Sequence, residues 1–142
     1  MTSNEQRAEV LERAIRASRT GDSTVIGELF TVDVDGCSPA MSISSAAELA
    51  VEFEDRDEAF SEVELDTRPL DVCGEQACVE WIVTMTHSGP LQIDDDYIPP
   101  TGRRLAIEGA TIAEFTDLKI RSFREYWDEV SLLEQLDLLR HD

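Results

Sequence analysis

Two ionisable side chains stand where proton chemistry is possible. Asp128 closes the aromatic run in "SFREYWDEV" (residues 122–130), directly after Tyr126 and Trp127. A carboxyl group facing a dry interior has its pKa raised by desolvation, which suits a general acid or base; a close Arg124 would lower it again. The same aspartate precedes "EVSLL" and can equally cap a helix. His87 ends "VEWIVTMTH". Its intrinsic pKa suits proton transfer near neutrality, and its place before a Gly-Pro loop also suits a plain hydrogen-bonding role. His141, in the terminal tail, has no assigned role. Asp94, Asp95 and Asp96 offer oxygens to a hard cation, but a calcium site needs a fuller ligand set, so this loop reads as solvated. No Cys/His spacing resembles a zinc site. Cys37, Cys73 and Cys78 are odd in number without a secretion signal, which argues for reduced thiols, although Cys73 and Cys78 flank a hairpin turn and can face each other across it.

The surroundings are acidic. Lys and Arg total 12 against 31 Asp and Glu, a formal net charge of −19 with a sequence pI near 4.2. Such a surface repels phosphate backbones and anionic lipid, so neither nucleic acid nor membrane is an expected partner. Much of the excess lies between Glu48 and Asp66, with nine acids and one base, and reads as a solvated helix face. The 142 residues fit one domain spanning 1–142. With 42% hydrophobic residues, no bilayer-length apolar run and no basic or apolar leader in "MTSNEQRAEV", a cytoplasmic protein is expected.

The elements that must position these groups fall into two halves. Ser3 and Gln6 open a first helix running to about Arg19, with Val10, Leu11, Ala14, Ile15 and Ser18 at helical spacing. Asp22 caps a short second helix bearing Val25, Ile26, Leu29 and Phe30. "TVDVDGCSP" is extended and stopped by Pro39; Ser45 and Glu48 then open a helix through about Phe60, burying Leu49 and Phe53. "EVELDTRPLDVC", "ACVEWIVTMTH", "RRLAIEGATIAEF" and "KIRSFREYWD" read as antiparallel strands. A last helix, "EVSLLEQLDLLR", carries Val130, Leu133, Leu136 and Leu139 on one stripe. Helices followed by a meander of strands give an α+β fold, a curved sheet with helices packed on one face.

Four motifs in order carry a family resemblance: "THSG" (86–89), "PPTGRR" (99–104), "TDLKI" (116–120) and "LLEQLDLL" (132–139). With the aromatic-acid strand end they resemble the SnoaL-like polyketide cyclase branch of the NTF2-like superfamily, over about half the chain. The resemblance implies a cone, in which a bent antiparallel sheet wraps the N-terminal helices around an apolar pocket, and a homodimer formed through the outer face of the sheet. It also implies that Asp128 looks inward, so that Tyr126 and Arg124 share its side, while Trp81, Val83, Met85 and His87 form the pocket face of the neighbouring strand. Tyr97 either covers the pocket mouth or anchors its loop to the dimer surface.

On this reading the ligand is a small apolar organic molecule. Asp128 and His87 are the catalytic candidates, and no cofactor or metal is called for. The alternative is a binding or accessory domain without turnover. Two related machineries are incomplete. Ketosteroid isomerases carry a base aspartate before a proline on the first strand, where this chain has Ser38. Limonene-type epoxide hydrolases pair their acid with an arginine and a second aspartate, where ungapped comparison finds Val83 and Met85. Where relatives have Asp-Gly in the last hairpin turn this chain has Asp117-Leu118, so a positive φ at Leu118 would be strained.

Overall fold

A computed structural model describes residues 3–93 and 96–138, apart from the side chains of Arg56, Asp57 and Ile93. Helix α1 (Ser3–Thr20) buries Leu11, Ala14, Ile15 and Ser18 along one stripe. Asp22 caps a 3-10 turn (Ser23–Val25) by accepting from the Thr24 amide, and α2 (Ile26–Leu29) follows. Phe30, expected in that helix, instead opens β1 (Phe30–Ser38), where its ring meets Phe53 and Phe123 edge-on at 6.4 and 6.0 Å. A turn at Pro39-Ala40, in which Ser38 Oγ accepts from the Ala40 amide, leads to the short β2 (Met41–Ile43).

Helix α3 (Ala46–Ala59) starts at the expected box with one shift. Ser45 Oγ accepts from the Glu48 amide, but the Glu48 carboxylate reaches back to the Ser44 amide rather than that of Ser45. The long strands follow: β3 (Phe60–Leu70), β4 (Gln76–His87), β7 (Arg104–Thr116) and β8 (Lys119–Trp127). Between β4 and β7 the presumed loop forms a separate hairpin of β5 (Leu91–Ile93) and β6 (Asp96–Ile98); Asp94 and Asp95 lie outside the described residues. Helix α4 (Glu129–Gln135) ends the described fold.

The main sheet runs β2-β1-β8-β7-β4-β3. It is antiparallel except where β1 lies parallel to β8, so the expected meander is closed on its β8 side by a strand from the N-terminal half. The inner face of β4 is Ala77, Val79, Trp81, Val83, Met85 and His87, all buried. Helix α1 crosses this face over β3 and β4 and packs against α3.

Strand β8 does not keep one alternation along its length. Phe115 pairs with Ile120 but Glu114 pairs with Ser122, leaving Arg121 as one extra residue in a bulge. Ile120 faces in before the bulge; Phe123 and Glu125 face in after it. Arg121 secures the irregularity by donating from Nη1 to the Phe115 carbonyl at 2.8 Å. In the adjoining hairpin turn Asp117, not Leu118, takes the positive φ of 54°, so the strain foreseen for Leu118 falls on a residue type that tolerates it.

Helix α4 keeps Leu136 of the foreseen stripe inward but packs Leu132 on the core in place of Val130. Leu136 is buried and Leu132 packs on the core, while Val130 is half exposed; Leu139 lies outside the described residues. Gln135 fastens the helix to the sheet: its amide nitrogen donates to the Ala106 carbonyl at 2.9 Å and its oxygen accepts from the Ala106 amide at 2.8 Å. That stretch of β7 lies beyond the last pairing with β8, at Gly109, so the side chain completes an open strand edge.

Two glycines admit the large rings of the interior. A Cβ on Gly36 would meet the Phe123 ring at 2.2 Å, and one on Gly109 would meet the Tyr126 carbonyl oxygen at 2.5 Å and the Trp81 ring at 2.6 Å. Each glycine sits directly across from the aromatic that covers it. Gly109→Ala is therefore expected to destabilise the fold by about 1–3 kcal/mol, as overpacked cores do. Urea unfolding checks this, and an unchanged midpoint would contradict the close packing of Trp81 on the β7 backbone.

Candidate functional site

The hollow of the cone lies between α1, α3 and the inner face of β1, β2, β7 and β8. Its free volume is about 20 Å³, room for one water. Leu11, Ile15, Leu49, Phe53 and Phe123 supply apolar walls; Ser18, Thr111 and Glu125 supply the polar groups. Met41, on the short strand β2, is the one lining residue that is not buried. It therefore marks the side from which solvent approaches.

The polar end of the hollow is a connected cluster. Glu125 projects inward from β8 and Arg19 reaches it from the last turn of α1; both are more than nine-tenths buried. Arg19 Nη2 stands 3.3 Å from each Glu125 oxygen, Nη1 donates to Ser18 Oγ at 2.8 Å, and the guanidinium lies 4.2 Å over the Trp81 ring. Ser18 in turn donates to the Ile15 carbonyl at 2.7 Å, and Trp81 Nε1 donates to Thr111 Oγ1 at 2.9 Å. Two opposite charges and a cation–π contact thus satisfy one another where water is scarce.

The expected catalytic aspartate is elsewhere. Asp128 is exposed and caps α4, its Oδ1 accepting from the Val130 and Ser131 amides at 3.0 and 3.3 Å. Tyr126 is half exposed and Arg124 half-buried on the same outer side. The inward orientation expected for these three is corrected by the bulge: strict alternation from Ile120 would turn Ser122, Arg124, Tyr126 and Asp128 inward, and the extra Arg121 reverses it. Tyr97 is 67% exposed on the β5–β6 hairpin and does not line the hollow. Val83 and Met85 are buried but lie outside its lining, and Trp81 stands behind Thr111.

The reading that sought a carboxylate in the cone thus missed Glu125, and with it Arg19 and Thr111. A usable signal was present, since Phe123 and Trp127 flank Glu125 at the alternating positions of an apolar face.

His87 is fully buried at the other end of β4, outside the lining of the hollow. The Thr101 amide donates to its Nδ1 at 3.3 Å, and Thr101 Oγ1 lies 2.9 Å from the same atom. An acceptor Nδ1 places the ring proton on Nε2, which has no partner among the described residues. Backbone bonds surround the ring: the His87 amide donates to the Arg103 carbonyl at 2.9 Å and the Gly102 amide to the His87 carbonyl at 2.8 Å. Gly89 completes the junction. Its amide donates to the Ala59 carbonyl, and a Cβ there would lie 1.7 Å from the Glu58 carbonyl oxygen. The "THSG" and "PPTGRR" segments are therefore two halves of one latch.

Burial holds His87 below the ordinary imidazole range and outweighs the Gly89 backbone, which pulls the other way. Burial, then the charge of Glu80, pushes the Cys78 thiol up; all three cysteines are free thiols, and Cys37 and Cys73 are exposed. Among the described residues no group of three or more His, Cys, Asp and Glu side chains is arranged to hold a metal ion, and no helix is long and apolar enough to cross a membrane.

A bent mixed sheet around N-terminal helices, with a small hollow between them, defines the NTF2-like cone. The family model for SnoaL-like polyketide cyclase matches residues 8–136, and the chain belongs to that family. A comparison with curated proteins finds no match. Solved structures agree in fold. TsrD from Streptomyces laurentii superposes with a TM-score of 0.81 at 19% identity, covering 98% of this chain and 100% of that one. IdmH from Streptomyces antibioticus gives 0.74 at 18%, covering 93% and 99%. An M. tuberculosis LEH-like epoxide hydrolase gives 0.70 at 13%, covering 95% and 92%.

Two outcomes follow from this geometry. Asp128→Ala should lower stability by about 1 kcal/mol through loss of the cap, while Asp128→Ser retains most of it; equal denaturation midpoints for all three proteins would contradict the capping role. A His87 whose folded pKa is depressed binds fewer protons folded than unfolded, so its contribution is complete above the unfolded value of about 6.5 and is lost as pH falls toward the folded value. His87→Asn should be less stable at pH 7.5 and should lose less of its remaining stability between pH 7 and 5 than wild type. Parallel pH slopes in thermal unfolding would count against the buried neutral imidazole.

Proposed function

We propose that this chain holds a small, mostly apolar organic molecule in the cone and catalyses a cofactor-independent proton transfer of the isomerase or cyclase type, with Glu125 as general acid or base. The observation that carries the reading is a buried carboxylate at the polar end of an otherwise apolar hollow. Arg19, held over Trp81 outside the lining, balances its charge, and hydroxyl groups line the hollow where negative charge would develop on a ligand oxygen. Such a mechanism needs one carboxylate to move a proton from carbon and one positive or hydrogen-bonding group on the oxygen. Asp128 acts here through α4 as a structural cap, and His87 through the latch.

A second reading has its own support. The hollow holds about one water, and the Glu125 carboxylate is already engaged by Arg19. A ring-sized ligand must displace wall atoms, and Met41 is the side chain most able to move, being unbranched and in contact with solvent. A non-catalytic binding domain is therefore the alternative.

A homodimer through the outer sheet face fits either reading: Ile82 and Tyr126 stand exposed there, beside the partly buried Ala110 and Ile112.

The test is a thermal-shift screen of ring ketones, lactones and epoxides, followed by product analysis with wild type and Glu125→Gln. Proton transfer by Glu125 predicts that the variant still binds the hit but converts it about 10²–10⁴-fold more slowly. Conversion at the wild-type rate would remove Glu125 from the mechanism, and binding without conversion by wild type would favour the second reading. For the assembly, Tyr126→Glu should shift the sedimentation mass from dimer to monomer; a monomeric wild type would end that part of the proposal.

A further inference from the structure

We infer that Thr111 is the donor that selects the ligand's oxygen, aimed by Trp81, and that the polar end of the cone accepts a neutral ketone, lactone or enol in preference to a carboxylate. The inference rests on the ligand-holding cone proposed above. Three polar side chains line the hollow, and they differ in the hydrogens they have left to give. Ser18 spends its hydroxyl hydrogen on the Ile15 carbonyl while accepting from Arg19. Glu125, paired with Arg19, offers oxygens only. Thr111 differs. An indole N–H is a donor only, so Thr111 Oγ1 must accept from Trp81 Nε1, and the threonine hydrogen has to point to another acceptor.

The aim of this hydroxyl is fixed at several points. Thr111 is 3% exposed, lines the hollow and is stiff at χ1. Trp81 lies across Gly109, which is two residues before Thr111 on the same face of β7 and has no Cβ to push the indole away. The donated indole hydrogen also polarises the hydroxyl and makes it a stronger donor.

Charge sets the ligand class. The Arg19 cation is matched by Glu125, so a ligand carboxylate would add a second anion with no unmatched cation to meet it, at a steep desolvation cost. A neutral acceptor oxygen adds no charge and satisfies the Thr111 hydrogen.

Cyclohexanone and cyclohexanecarboxylate serve as probes, with affinities read by ligand-observed NMR titration. Wild type should bind the ketone and not the carboxylate. Thr111→Val should weaken ketone binding about tenfold, the worth of one neutral hydrogen bond, and Thr111→Ser should restore most of it. Trp81→Phe keeps the threonine without its aim and serves if Thr111→Val does not fold; it too should weaken the ketone. Equal ketone affinity in wild type and both Thr111→Val and Trp81→Phe, or a preference for the carboxylate, overturns this inference while leaving a ligand-holding cone. Binding of neither probe by wild type overturns both.

Discussion

One extra residue in β8 decides what the interior of this protein can be. The bulge at Arg121 reverses the alternation of the strand between Ile120 and Phe123. Everything beyond it exchanges faces, since strand side chains alternate with a period of two. Glu125 is carried into the cone and Asp128 out of it. Once a carboxylate is buried, a cation has to meet it, and the end of α1 supplies Arg19. The contact of the first helix's last turn with the sheet and the chemistry of the hollow are thus tied to an irregularity in β8, the third of the six strands.

Around that pair the packing is organised by exchange between glycine and aromatic residues. Gly36 and Gly109 give up side chains so that Phe123 and Trp81 can lie flat on the neighbouring backbone. Trp81 then does two things at once: its face carries the Arg19 guanidinium and its edge holds Thr111. The hollow is small because Phe123, Phe30, Phe53 and Leu49 converge on it. What polar character it has comes from three side chains on two strands and one helix.

The motifs that mark the family serve mainly to join elements. "THSG" and "PPTGRR" meet through the His87 ring, Thr101 and the Gly89 amide, fixing the end of β4 to the loop before β7 and to the end of α3. The glutamine of "LLEQL" clamps α4 to Ala106 of β7. Asp128 starts that same helix. Residues that hold the cone together therefore say little about what the cone does, which is why a shared fold leaves activity to be argued from the site.

The sequence by itself determined the local features: the helices over Ser3–Thr20 and Ala46–Ala59, the four long strands, the inner series Trp81, Val83, Met85 and His87, and the family. These depend on spacing and caps, which act between residues near one another in the chain. Tertiary structure decided the parallel pairing of β1 with β8, the hairpin made from the acidic loop, the stripe by which α4 docks, and above all the direction in which Asp128 and Glu125 point. Periodicity carries no mark of a bulge, because the extra residue is fixed by pairing with a partner strand, and Arg19 meets Glu125 across 106 residues of chain. The carboxylate of the interior was visible in the sequence as a residue; only folding showed which of two acids it was.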